Sequence, residues 1–182
     1  MPFGIEEASV RLMSKCDAGP ARATSNFPRL LMTLMLFSIL ILGLMCGSEL
    51  NVAAVAHPAV NRQPKEVHIL MRSSLAALLG RVMPFWMVGS TILNLLLLLP
   101  IAHLNASAWQ LAAIAFAIQV FAVLFSLVGP VPINNRIAHW RPESLPDNWR
   151  ADERRWDLYH WLRTSALIGA FAILLGSIRA FA

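Results

Sequence analysis

Three short groups of residues in this chain have the types and spacing to do chemistry. The first is Pro132-x-Asn134-Asn135-Arg136, two amides and a guanidinium just past a long apolar run. The second is Trp156-Asp157-Leu158-Tyr159-His160-Trp161-Leu162-Arg163-Thr164. On a helix, Trp156, His160 and Arg163 stand at i, i+4 and i+7 and form one stripe, with Asp157, Trp161 and Thr164 beside it. The third is Glu49, Ala53 and His57, at i, i+4 and i+8, so a helix puts them on one face; the alanines nearby let a second helix or a flat ligand come close. A histidine, an arginine and an aspartate one turn inside an apolar bundle are costly unless they are paired or in use. Two kinds of use fit these residue types. One is acid–base chemistry. The other is metal ligation: Glu49, His57, Asp157 and His160 are suitable ligands for a copper or iron centre with open positions, although the spacings are loose and no HExxH or ExxH pattern is present.

The elements that must position these groups are apolar helices. Of the 182 residues, 57% are hydrophobic and only 14% are charged, against about 25% charged in a soluble domain. The mean hydropathy is +0.60. Lipid is the simplest partner for so much apolar surface. The net charge of +5 does not signal nucleic acid, because the basic residues are spread over the tail and the links between apolar runs, where membrane proteins carry them, and no nucleic-acid-binding motif is visible. Cys16 and Cys46 lie in unlike settings, polar tail and apolar run, and show no zinc spacing.

Four spans are predicted, each about as long as a bilayer core requires. Residues 1–28 form a polar N-terminal tail and residues 29–182 a four-span helical domain. The first span covers 30–57 and stops at Pro58. The second covers 75–99, with Arg81 and Pro84 near its start, which suggests a kink or a later entry into the bilayer. The third covers 108–128 and is stopped by Gly129, Pro130 and Pro132. The fourth starts at Asp152 or Trp156 and ends near Ile178. The expected fold is all-α, an integral membrane, antiparallel four-helix bundle, multi-pass, with both termini on one side and loops one and three together on the other. Arg62, Lys65, Arg72, Arg136, Arg141, Arg150, Arg154 and Arg155 make the loop side the more basic one, which favours a cytoplasmic placement for it. A homo-oligomer is compatible with the sequence.

With these features in place, the chain resembles the DUF1772 integral membrane family, which includes the anthrone oxygenase-like proteins. The resemblance rests on the four-span layout, on Pro132-x-Asn134-Asn135-Arg136-Ile137 and on Trp156-x3-His160-x2-Arg163-Thr164, in that order, over about residues 30–180. It implies a small membrane monooxygenase that oxidises a flat phenolic or anthrone-type compound with molecular oxygen, with no recognised haem or flavin. An anthrone has an acidic methylene between two rings, and its anion can pass an electron to oxygen directly. The protein then supplies a base, an oxyanion partner and a dry slot. On this reading His160 is the base, with His57 second. Arg163, Asn134 and Asn135 hold the oxyanion, Asp157 orients His160, and Trp156, Trp161 and Trp140 stack on a flat aromatic substrate, with Glu49 also at the binding site. No cofactor is expected, copper or iron being the alternative.

Plainer roles stand beside these. Trp140 and Trp149 suit an interfacial belt. Arg150, Arg154 and Arg155 beside Asp152 and Glu153 read as a solvated helix start. Glu49 could pair with Arg81 or Arg163. His68, His103 and His139 receive no role. The competing function is a non-enzymatic membrane subunit or small-molecule-binding protein that uses the same polar mouth. Alternating-access transport has little support, because no inverted repeat is visible.

Overall fold

The computed structural model describes residues 21–99 and 104–181. Residues 1–20, most of the expected polar tail, and His103 lie outside the described residues. Among the described residues the chain is helical and has no strand. Helix α1 is Ala21–Asn51. It passes through a π-helical turn, Val52–Ala56, into α2, His57–Asn61. Then come α3, Lys65–Leu98; α4, Ala106–Val128; the short α5, Pro130–Ile137; and α6, Trp149–Phe181. Four stretches are long and apolar enough to cross a membrane: Arg29–Asn61, Lys65–Leu98, Ala106–Val128 and Trp149–Ala180.

The four long helices form a square. α1 packs on α3 and α6, and α4 packs on α3 and α6. Neighbours run in opposite directions, as individual contacts show. Asn94 late in α3 bonds the carbonyl of Ala112 early in α4. Ser126 late in α4 meets Arg163 early in α6. Ser90 of α3 meets Met45 of α1, while Arg72 meets His57. The lower core is apolar, built from Met35, Leu42, Met45, Leu97, Leu167 and Leu174. On α4 the inward stripe is Ala108, Ala112, Ala115, Gln119, Ala122 and Ser126, all buried. Small side chains at helical spacing let α4 and α6 approach closely, which is how helices gain packing where lipid gives no hydrophobic drive. Large apolar side chains such as Phe85, Phe121, Leu124 and Leu158 point outward. In a soluble protein they would face water; here they suit a lipid face.

The first span runs on past Pro58 to Asn61 rather than stopping there, the fourth starts at Trp149 rather than at Asp152 or Trp156, and the start of the second differs most. α3 begins at Lys65, ten residues before the expected start near 75. Its first turns are polar, and the hydropathy reading assigned them to a loop; His68 and Arg72 in them are paired inside the bundle. Pro84 lies inside α3, within the span as expected. The third span ends at Val128 as expected, and Pro130 and Pro132 lie in a separate short helix after it. Pro130 opens α5 at a first-turn position, where a missing N–H costs nothing, so Asn134, Asn135 and Arg136 sit on a short helix rather than in a turn.

Candidate functional site

Where loops one and three meet, the bundle holds a polar interior divided in two by one indole. On one side, Glu49 from the end of α1 faces Arg163 of α6. Arg163 Nη2 donates to Glu49 Oε2 at 2.6 Å, and Nη1 lies 3.4 Å from Ser126 Oγ. His160 sits in the same corner, with Nε2 3.1 Å from the Glu49 backbone carbonyl and Nδ1 3.1 Å from Arg163 Nη2 and 3.2 Å from Glu49 Oε2. Glu49 and His160 are 1% and 2% exposed, and Arg163 8%. Such a pair is tolerated in an apolar interior because each charge has the other within a hydrogen bond.

These three residues line a cavity of about 190 Å³ whose other walls come from α3, α4 and α5. The walls are mainly apolar: Leu79, Met83, Met87, Val123 and Pro130 are among them. Gly80, Pro84, Val88 and Leu127 line it and are also exposed, so its mouth opens sideways between α3 and α4. Those mouth residues belong to helices apolar enough to span a membrane. Asn134 and Asn135 close the loop end. Asn134 Nδ2 donates to the Ala76 carbonyl at 2.9 Å, which ties α5 to α3. Gly80 makes this approach possible: a Cβ there would stand 2.8 Å from Asn134 Nδ2.

The dividing indole is Trp156. His160 stacks on one side of it, ring centroids 4.6 Å apart and planes at 15°. His57 leans on it at 4.6 Å and 52°, and Arg72 lies 5.9 Å from its ring. Behind it is a second cluster. Arg72, 2% exposed, donates to both oxygens of Asp157 at 2.8 and 2.9 Å, to Glu153 Oε1 at 3.0 Å and to His57 Nδ1 at 2.6 Å. His68 Nε2 donates to Glu153 Oε1 at 2.6 Å. At the rim, Arg136 forks onto Asp152 at 2.7 and 2.9 Å, and that hydrogen-bonded carboxylate holds the Arg136 guanidinium pKa above its ordinary value.

The π turn explains how one helix serves both clusters. In a regular α-helix, residues eight apart lie roughly 80° off line, because 3.6 residues make a turn. A π turn winds less per residue and removes part of that offset. Glu49 and His57 therefore both face α6, one on each side of Trp156.

The structure brings Glu49, His160, Arg163, Asn134, Asn135 and Trp156 to one cavity and places the other predicted residues elsewhere. His57 and Asp157 belong to the second cluster. Asp157 accepts from Arg72, lies 3.0 Å from His57 Nδ1 and does not orient His160. Trp156 has histidines against its ring, so it meets the cavity by its edge and not by an open stacking face. Trp161 is 44% exposed on the outer surface. Trp140 is buried against Trp149 at 5.9 Å, edge to face, away from the cavity. The alternative metal ligands divide between the two clusters, and among the described residues no group of three or more His, Cys, Asp or Glu side chains is placed to hold one metal ion. Arg81 is not the partner of Glu49; Arg163 is. Glu153 is a buried ion-pair member and not a solvated helix start, and His68, given no role above, is its partner.

The two motifs now sit on the walls of one cavity in a four-span bundle. A family described as anthrone oxygenase matches residues 71–173, more than half of the chain. The chain belongs to the anthrone oxygenase (DUF1772) family. No curated protein and no solved structure matches the chain. The matched region is narrower than the 30–180 expected. It contains Arg72, Asn134, Asn135, Trp156, Asp157, His160 and Arg163, and it leaves out the first span with Glu49 and His57. Family membership and the four apolar helices together point to a multi-pass membrane protein of oxygenase-like type.

Proposed function

We propose that this protein is a membrane oxygenase that takes a flat, apolar compound with an acidic ring methylene or phenol, an anthrone being the type, and oxidises it with molecular oxygen. One observation carries the reading. Two buried donors on the cavity-lining residues, Arg163 Nε and Trp156 Nε1, and one buried acceptor, Glu49 Oε1, have no hydrogen-bond partner among the described residues. Buried polar groups are normally paired. A mainly apolar cavity whose lining residues carry two unpaired buried donors and one unpaired buried acceptor fits a ligand that gives up a proton and keeps a negative oxygen.

A closed cavity near 150 Å³ holds a benzene-sized guest. The present cavity, about 190 Å³, therefore takes the reacting ring of a polycycle, and the remaining rings lie in the mouth between α3 and α4. Arg163 and the Trp156 N–H stabilise the oxyanion where water does not compete. Asn134 and Asn135 bound the same end. Glu49 and His160 are the titratable side chains on the wall. After deprotonation, the electron-rich anion reduces oxygen. One oxygen atom enters the ring carbon, and the other leaves as water with the two methylene hydrogens, giving the quinone. We propose that no resident cofactor is needed for this electron transfer, since the substrate anion is itself the reductant.

The test is oxygen uptake by detergent-purified protein given anthrone, with and without a strong chelator. Uptake of one oxygen per quinone formed, unchanged by the chelator, is the expected result. Uptake abolished by the chelator and restored by copper or iron would overturn the cofactor-free part. Binding of anthrone without any uptake would overturn the oxygenase reading in favour of a binding subunit.

A further inference from the structure

We propose that Glu49, through Oε1, is the base that takes the proton from the substrate, and that His160 is a positioning residue. This rests on the oxygenase reading above and adds to it the identity of the base, on a helix that the family match does not reach.

The hydrogen-bond chemistry of His160 excludes it from the role that its residue type suggests. Its Nε2 faces a backbone carbonyl, which only accepts, so Nε2 carries the hydrogen. Its Nδ1 faces Arg163 Nη2, which only donates, so the Nδ1 lone pair is taken. One face of the ring lies on Trp156. Neither nitrogen is left for a substrate proton. Protonating Nδ1 would also break the bond from Arg163 and set a second positive charge 3.1 Å from the guanidinium, with both cations then sharing the one Glu49 Oε2, 3.2 Å from Nδ1.

Glu49 has the opposite standing. It is 1% exposed and lines the cavity. Oε2 is held by Arg163 and stands 3.2 Å from the His160 ring, which fixes the carboxyl plane. Oε1 has no partner among the described residues. The charge balance favours it as well. When Glu49 takes the proton, the substrate C–H or O–H bond breaks, its electron pair stays on the substrate as an enolate or phenolate, and the new O–H forms on Oε1. The negative charge moves from Glu49 to the ligand oxygen, and the Arg163 guanidinium remains beside it throughout. No net charge is created in the apolar interior, so the large cost of an unpaired buried ion is avoided. A histidine base would instead create a cation–anion pair from two neutral partners.

The experiment separates proton removal from oxidation. Wild-type protein and Glu49→Gln are mixed with anthrone without oxygen, and the absorbance of the conjugated anion is recorded beside anthrone binding by tryptophan quenching. The wild type is expected to form the anion. Glu49→Gln is expected to bind anthrone still, form no anion, and lose about 10²–10⁴-fold in turnover once air is admitted. A Glu49→Gln protein that forms the anion as well as the wild type overturns the proposal and leaves the oxygenase reading intact. A wild type that binds anthrone but neither ionises it nor consumes oxygen overturns both. Should Glu49→Gln fail to fold, difference infrared on the wild type reads the same event. A new protonated-carboxyl band on anaerobic anthrone binding is expected, and its absence overturns Glu49.

Discussion

Arg72 is the single side chain whose loss should be felt most in the fold. It is 2% exposed and donates to Glu153, to both oxygens of Asp157 and to His57. Arg72→Met keeps much of the apolar stem and removes every one of those bonds. Glu153, whose side chain is 9% exposed, is then left with His68 alone. Asp157, 30% exposed, keeps His57 and can reach solvent. Breaking a buried pair by removing one partner costs about 3–5 kcal/mol, and the exposure of Asp157 puts the present case near the lower end. At roughly 2–4 °C per kcal/mol for a chain of this size, the unfolding temperature should fall by about 6–12 °C. Thermal unfolding in mild detergent, followed by circular dichroism, measures it. Adding Glu153→Gln to Arg72→Met should return about 1–3 kcal/mol, because the stranded carboxylate is then neutral. An Arg72→Met protein within about 1 kcal/mol of wild type, or no recovery in the double variant, would show that water reaches the cluster and that the argument from burial is wrong.

Other outcomes follow from single contacts. Gly80→Ala sets a methyl 2.8 Å from Asn134 Nδ2 and should displace that amide from Ala76, costing about 1 kcal/mol of stability and lowering turnover; unfolding and oxygen uptake read the two effects. Trp161→Ala should change neither anthrone affinity nor turnover, since the ring is on the outer face; a loss in either would return Trp161 to the site. Inserting an alanine after Ala54, an exposed residue of the π turn, should rotate His57 by roughly 100° relative to Glu49. Thermal unfolding should then fall by about as much as in Arg72→Met, and an unchanged unfolding temperature would show that the register of His57 is incidental.

The bundle was legible because lipid imposes it. Four apolar runs near bilayer length, separated by proline and polar links, leave few other arrangements, and the contacts of Asn94 with Ala112 and of Ser126 with Arg163 agree with the antiparallel order. The corner of Glu49, His160 and Arg163 was legible in part, since three polar residues in apolar helices need partners. What hydropathy hid was the second cluster. His68 and Arg72 lower the local hydropathy of α3, so its first turns looked like a loop. A different signal was available: His68 and Arg72 are spaced i, i+4, and so are Glu153 and Asp157, two stripes of opposite charge on helices that must face one another. Sequence spacing also said nothing about ring faces. Trp156 looked free to stack on a ligand because its i+4 neighbour, His160, was read as a base and not as the residue lying on it.

On the proposed oxygenase reading, the sideways mouth at Gly80, Pro84, Val88 and Leu127 has a kinetic consequence. A ligand that arrives between two spanning helices arrives from the bilayer, so occupancy follows its mole fraction in the membrane and not its concentration in buffer. Added lipid at fixed total ligand dilutes the membrane phase and slows turnover, although nothing in the protein has changed. A KM quoted in bulk units is then a property of the preparation, and values from different lipid-to-protein ratios fall together only when rates are plotted against surface mole fraction. Detergent tails, present at high mole fraction in a micelle, are then expected to compete for the same mouth.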